Sequence, residues 1–186
     1  QHPDSHEEYE EMVDLFANDA HFQGSSPPAN GMIDGTGNPH GADEDYLTIF
    51  TGNITVNTGG TYWFAVDGDD AVEVLVNGVV VAGYYGGHGH CGCTDYNGSI
   101  ELTAGTHAIE FRHEEDGGGD DYHLGWKGPD SGGVYEMIPA GVYSDLMQTN
   151  YNLNVSGSTI TDYVVRVEVG VDALPEKNCK LYTNET

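Results

Sequence analysis

Gly60-Thr61-Tyr62-Trp63-Phe64-Ala65-Val66-Asp67-Gly68-Asp69-Asp70-Ala71-Val72-Glu73-Val74-Leu75-Val76-Asn77-Gly78-Val79-Val80-Val81 is the stretch on which the fold turns. Val72, Val74 and Val76 alternate with Glu73, Leu75 and Asn77, the two-residue period that places one side of a strand in a core. Asn77-Gly78 lies between two valine-rich runs and is a type I′ hairpin signal, since both central residues of that turn need positive φ. Asp67-Gly68-Asp69-Asp70 then reads as a tight acidic turn between two strands. Working outward, the same alternation predicts strands over 46–56, 61–66, 71–82, 98–103, 107–112, 121–127 and 160–171. Thr58-Gly59-Gly60 and Ala104-Gly105 supply further turns. Short antiparallel strands at this spacing imply an all-β fold, an antiparallel β-sandwich.

Two other segments complete the plan. Residues 5–18 read as a short N-terminal helix: Tyr9, Met12, Val13 and Phe16 form one apolar face, and Ser5 with Glu8 has capping-box spacing. Residues 23–44 are loop-like in their Gly, Pro, Ser, Asn and Asp content. The expected division is an N-terminal helix and loop over 1–44, a sandwich core over 45–145, and a C-terminal strand and tail over 146–186.

Composition excludes several classes of function. The 186 residues carry 31 acidic and 5 basic side chains, a formal net charge of −26. Such a surface repels phosphate backbones, so no nucleic-acid partner is expected, and anionic membranes are disfavoured. No apolar run has membrane-spanning length, so no direct membrane insertion is expected. No basic–apolar leader occurs, and any targeting segment is expected to have been removed or to lie outside this sequence. Abundant Gly, common Tyr and three cysteines point to an extracellular or cell-surface domain.

Acidic residues crowded into Gly-rich loops suit a hard divalent cation, which takes oxygen ligands from a bendable backbone. Asp67-Gly68-Asp69-Asp70 is one such loop, and adjacent carboxylates at a strand end repel unless a cation lies between them. The second is Arg112-His113-Glu114-Glu115-Asp116-Gly117-Gly118-Gly119-Asp120-Asp121. Two acidic loops, each linking strands, can meet at one end of a sandwich and share an ion. A third cluster, His88-Gly89-His90-Cys91-Gly92-Cys93, holds four potential zinc ligands but leaves little room for a tetrahedron. A Cys91–Cys93 bridge, or one of these paired with Cys179, is the preferred reading. Tyr85 and His88 in the same loop are candidates to stack on or hydrogen-bond a sugar. No Gly-x-Ser-x-Gly, His-Glu-x-x-His or phosphate-loop motif occurs. With so many carboxylates, some pair always has a hydrolase spacing, so abundance alone argues nothing. The chain is expected not to be an enzyme.

The run Gly60–Ala71, then Val76-Asn77-Gly78, Leu102-Thr103-Ala104-Gly105-Thr106-His107, Ile109-Glu110-Phe111 and Leu124-Gly125-Trp126 resembles the PA-fourteen family, named for the anthrax toxin protective antigen. The resemblance covers residues 45–144. It implies a β-sandwich of the kind found in adhesins, toxins and glycosidases. In lectin members such as yeast flocculin-type adhesins, an Asp-Asp pair joined by a cis peptide holds calcium and sugar hydroxyls bind the ion. The resemblance implies that Asp69 and Asp70 are that pair, with Asp67 beside them. The second loop departs from the family's amide ligand; Glu114 or Asp120 is the expected side-chain ligand, with carbonyls around Asp116–Gly118. In the tail, Asp162–Val169 and Asn178-Cys179-Lys180-Leu181-Tyr182 resemble a segment of type IV pilus tip adhesins, which often carry Cys where this chain has Gly170.

The resulting expectation is a calcium-dependent carbohydrate-binding module of a secreted or cell-surface adhesin, with glycans or cell-surface polysaccharide as partners. It would form part of a larger surface protein or filament. The alternatives are a structural module in which calcium only orders loops, and a targeting module cut from a glycosidase.

Overall fold

The computed structural model describes residues 2–154. These form one short helix, α1 (His6–Phe16), and eleven strands: β1 (Phe22–Ser26), β2 (Asp34–Thr36), β3 (Tyr46–Val56), β4 (Gly60–Gly68), β5 (Val72–Val76), β6 (Val79–Tyr84), β7 (Asn97–Leu102), β8 (Gly105–Glu115), β9 (Asp121–Lys127), β10 (Glu136–Met137) and β11 (Tyr143–Asn152). Two antiparallel sheets face each other. One runs in the order β1-β11-β3-β8-β5-β6; the other is β10-β9-β4-β7, with β2 also paired to β9. The all-β sandwich read from the alternation is the observed fold.

The core follows the period of two. Phe50 and Ile54 of β3, Val72, Val74 and Val76 of β5, and Ile109 and Phe111 of β8 face Tyr62, Phe64 and Val66 of β4 and Tyr122, Leu124 and Trp126 of β9. The outer face of the larger sheet is covered by α1, where Tyr9 packs with Leu47, Ile49 and Ala71. Tyr9 is fully buried, a gain of roughly 1.5–3 kcal/mol for a side chain of this size. Its hydroxyl donates to the Ala71 carbonyl at 2.7 Å. Ser5 caps α1, its Oγ accepting from the Glu8 N–H. Glu8 reaches back to the Asp4 N–H at 2.8 Å, one residue earlier than a capping box requires.

The hairpin read at Asn77-Gly78 is observed: their φ angles of 53° and 75° fold the run 71–82 into β5 and β6. The structure departs from the sequence reading in two places. The loop-like segment 23–44 contains β1 and β2, which pair with β11 and β9. The boundary expected at residue 145 falls inside β11, which pairs with β3 along most of its length. The predicted strand 160–171, the pilus-like tail and Cys179 lie outside the described residues.

Candidate functional site

The site forms where β4 and β8 end. Beyond Gly68 the chain turns through Asp69 and Asp70, joined by a cis peptide bond, and enters β5. The turn is fixed by its backbone: Asp69 N–H donates to the Asp121 carbonyl at 2.9 Å, and Asp70 N–H to the Glu114 carbonyl at 3.2 Å. His113 supports it from below, Nε2 donating to the Asp69 carbonyl at 2.8 Å. Burial pulls the His113 imidazole down to about 4, so it is a neutral donor at physiological pH.

β8 continues to Glu115, and this decides which acidic residue reaches the turn. Ile109 and Phe111 face the core, so His113 and Glu115 share their side and Glu114 takes the other. Carboxylate oxygens of Asp69, Asp70 and Glu115 lie within 4.8 Å of one another. Two like charges at that separation repel by about 3.5 kcal/mol at an effective dielectric of 20. Glu115 is fully buried, and neither carboxylate oxygen has a hydrogen-bond partner. Burial, then Asp70 and Asp69, push its carboxyl up to about 8. Burial and the Asp70 charge also raise Asp69. Gly119 completes the cradle: a side chain there would collide with the Asp69 carboxylate. A buried carboxylate with two unpartnered oxygens, facing two more carboxylates, is a donor set that fits a hard divalent cation.

The other expected residues are placed as follows. Glu114 points toward the segment that precedes α1, where Oε2 accepts from His2 Nδ1 at 3.1 Å, and burial raises it to about 7. Asp120 sits outside the three-carboxylate group; burial, then Asp43, raise its carboxyl. Asp67, almost fully buried, accepts backbone N–H groups from Cys91, Gly92 and Cys93 at 2.9, 2.7 and 3.3 Å. It anchors the loop. Cys91 and Cys93 form a disulfide. His88 contributes its backbone N–H to Asp70 Oδ1 at 2.9 Å, while its ring stacks on Tyr84, which stacks in turn on Tyr96. Tyr85 points away from the turn, its hydroxyl donating to Glu73 Oε2 at 3.1 Å beneath α1. The disulfide loop is thus tied to both Asp67 and Asp70, and forms a wall beside the carboxylates. Glu115 was missed by the sequence reading, which ended the strand at residue 112 and left Glu115 in the loop.

The fold is a β-sandwich with an acidic cradle on the loops at one end. The PA14 domain family matches residues 8–135, more than half of the 186-residue chain, and the chain belongs to that family. Among solved structures it is similar to a PA14 sugar-binding domain from an RTX adhesin, at 25% identity and TM-score 0.50, over 61% of this chain and 75% of that one. It also shares its fold with an anti-sigma factor domain-containing protein, at 21% identity and TM-score 0.55, over 63% of this chain and 41% of that one. A counterpart from Clostridium clariflavum matches at 18% identity and TM-score 0.53, over 63% and 40%. This chain therefore spans about two fifths of those two proteins. No curated protein sequence matches it significantly. Among the described residues, no helix is long and apolar enough to cross a membrane.

Proposed function

We propose that this chain is a calcium-dependent carbohydrate-binding module of an extracellular or cell-surface adhesin, and that it is not an enzyme. The observation that carries the reading is the buried Glu115 carboxylate, without a hydrogen-bond partner, facing Asp69 and Asp70. These three residues would hold the ion, and calcium would supply open coordination positions for neighbouring sugar hydroxyls. His113, Asp67 and the disulfide loop orient the protein's share of the site. The similarity to a sugar-binding domain of an adhesin supports glycans as the ligand class. Attachment to a pilus tip rests on the tail resemblance alone.

The test is binding to a broad glycan array in calcium and again in chelator, with Asp69→Ala as control. Calcium-dependent signals lost in the folded variant support the reading. Folded, calcium-loaded protein with no glycan signal replaces it with the structural-module reading.

A further inference from the structure

Lys127 is an unusual residue in this chain. Among the described residues it and Arg112 are the sole Lys or Arg side chains. Arg112 is almost fully buried and saturated by Glu10, Glu73 and Glu110. The Lys127 ammonium instead lies over the rings of Trp63 and Tyr135, 4.8 and 4.6 Å from their centroids. It makes no ion pair with any described carboxylate, in a chain with 31 acidic residues. Three carboxylates on or beside neighbouring segments of the smaller sheet are engaged with other donors. Asp130 accepts the Asn57 N–H at 2.6 Å, Glu136 accepts Trp126 Nε1 at 3.2 Å, and Glu101 accepts the Thr61 hydroxyl.

Lys127 lies on the outer face of the smaller sheet, in a shallow depression open to solvent and flanked by Trp63 and Pro129. A hollow of about 330 Å³ contains Ala65 and Gly125 and is bordered by Tyr135, His90, His123 and Cys93. Tyr135 stands at the junction, against Lys127. Ala65 and Gly125, cross-strand partners on β4 and β9, leave the hollow open because neither has a long side chain. The hollow ends at Asp67 and the disulfide loop, whose other flank is bonded to Asp70. From His123, opposite Asp67, to Lys127, opposite Trp63, is four residues of strand, roughly 13 Å.

We infer that Trp63, Lys127 and Tyr135 form a second subsite, which takes the carboxylate of an acidic sugar of the uronate class. The glycan chain would run along the outer face of the smaller sheet from the disulfide loop. Charge complementarity selects this occupant: the exposed part of a fixed ammonium, held between two rings, has an unmet need for an anion. Sugar rings suit the aromatic walls and the hydrogen-bonding histidines. A free polyanion is disfavoured by the net charge of −26, so the carboxylate is an element within a chain that is otherwise bound by hydroxyl contacts. The subsite takes its ligand class from the lectin reading, but its own chemistry does not depend on the ion.

The test uses the whole chain and short, otherwise neutral oligosaccharides that carry a single galacturonic, glucuronic or mannuronic acid residue, each compared with its own methyl ester, in calcium and in chelator. The wild type should prefer at least one acid to its ester by roughly fivefold, the upper range for a partly exposed ion pair. The preference should shrink as salt is raised. Lys127→Met, which keeps the stem against the rings, should abolish it, and Lys127→Arg should keep it. Neither variant should alter the melting temperature or calcium-dependent binding of neutral glycans. Neutral glycans bound in calcium with no acid preference would overturn the subsite alone, as would a preference that survives Lys127→Met. Acid binding that persists in chelator and is lost in Lys127→Met would uphold the subsite, and neutral glycans bound equally well in chelator would overturn the calcium-lectin reading. No binding of any sugar would overturn both.

Discussion

Replacing Glu115 with Gln should stabilise the metal-free protein at high pH and reduce its response to calcium. Burial raises the Glu115 carboxyl from its usual 4.5 to about 8. Between those values the folded state holds a proton that the unfolded state releases. Its contribution to stability is therefore full at low pH and is lost as pH rises toward 8. Each pH unit inside that window is worth about 1.4 kcal/mol, so about pH 6 to pH 9 removes about 2–3 kcal/mol. For a chain of this length that is roughly 5–10 °C in melting temperature. Gln cannot ionise, so the difference between wild type and Glu115→Gln isolates this residue from Glu114, which burial also raises. Calcium should reverse the order. It binds the folded state only, and at a hundredfold excess over its dissociation constant adds about 2.7 kcal/mol. In the wild type this gain should grow with pH as the proton no longer competes; in Glu115→Gln it should be small. Scanning calorimetry at about pH 6 and pH 9, in chelator and in calcium, reads all four values. Equal pH slopes in chelator, or an undiminished calcium gain in the variant, would remove Glu115 from the site.

Asp70→Asn keeps an acceptor for the His88 N–H but loses a charge, and should lose most of the calcium-induced rise in melting temperature without unfolding. Asp67→Asn replaces with a donor one of the two oxygens that together accept three N–H groups, a loss of about 1–3 kcal/mol. Amide exchange at Cys91, Gly92 and Cys93 should quicken while the calcium gain persists; unchanged exchange would contradict the anchoring role. Alkylation without reductant should leave Cys91 and Cys93 unlabelled in peptide mapping, and labelling of both would contradict the disulfide.

The sandwich was legible because its central strands alternate apolar and polar residues around a core, and Asn77-Gly78 allows only one sharp turn. The edges were not. β1, β2 and β11 are rich in Gly, Ser, Thr and Asn, and β11 turns Gln148 and Asn150 to the buried side, so no apolar period marks it. Asp69 and Asp70 stood out by adjacency and by resemblance. Glu115 did not, since His113-Glu114-Glu115-Asp116 contains no apolar residue to show that the strand continues. Arg112 and Glu73 are 39 residues apart, and their pairing beneath α1 depends on register and helix docking together. Lys127 reads as an ordinary surface lysine until β4 sets Trp63 opposite it.

The central claim is that sugar reaches this protein through the ion held by Asp69, Asp70 and Glu115. It is tested most directly by titrating calcium with and without a saturating glycan chosen from the array. If sugar hydroxyls complete the coordination sphere, the glycan must tighten calcium binding by the same factor by which calcium tightens glycan binding, because coupling between two ligands is reciprocal. The account predicts a tighter calcium isotherm in the presence of sugar, and none of this coupling in Asp69→Ala. A calcium affinity indifferent to bound sugar would contradict it.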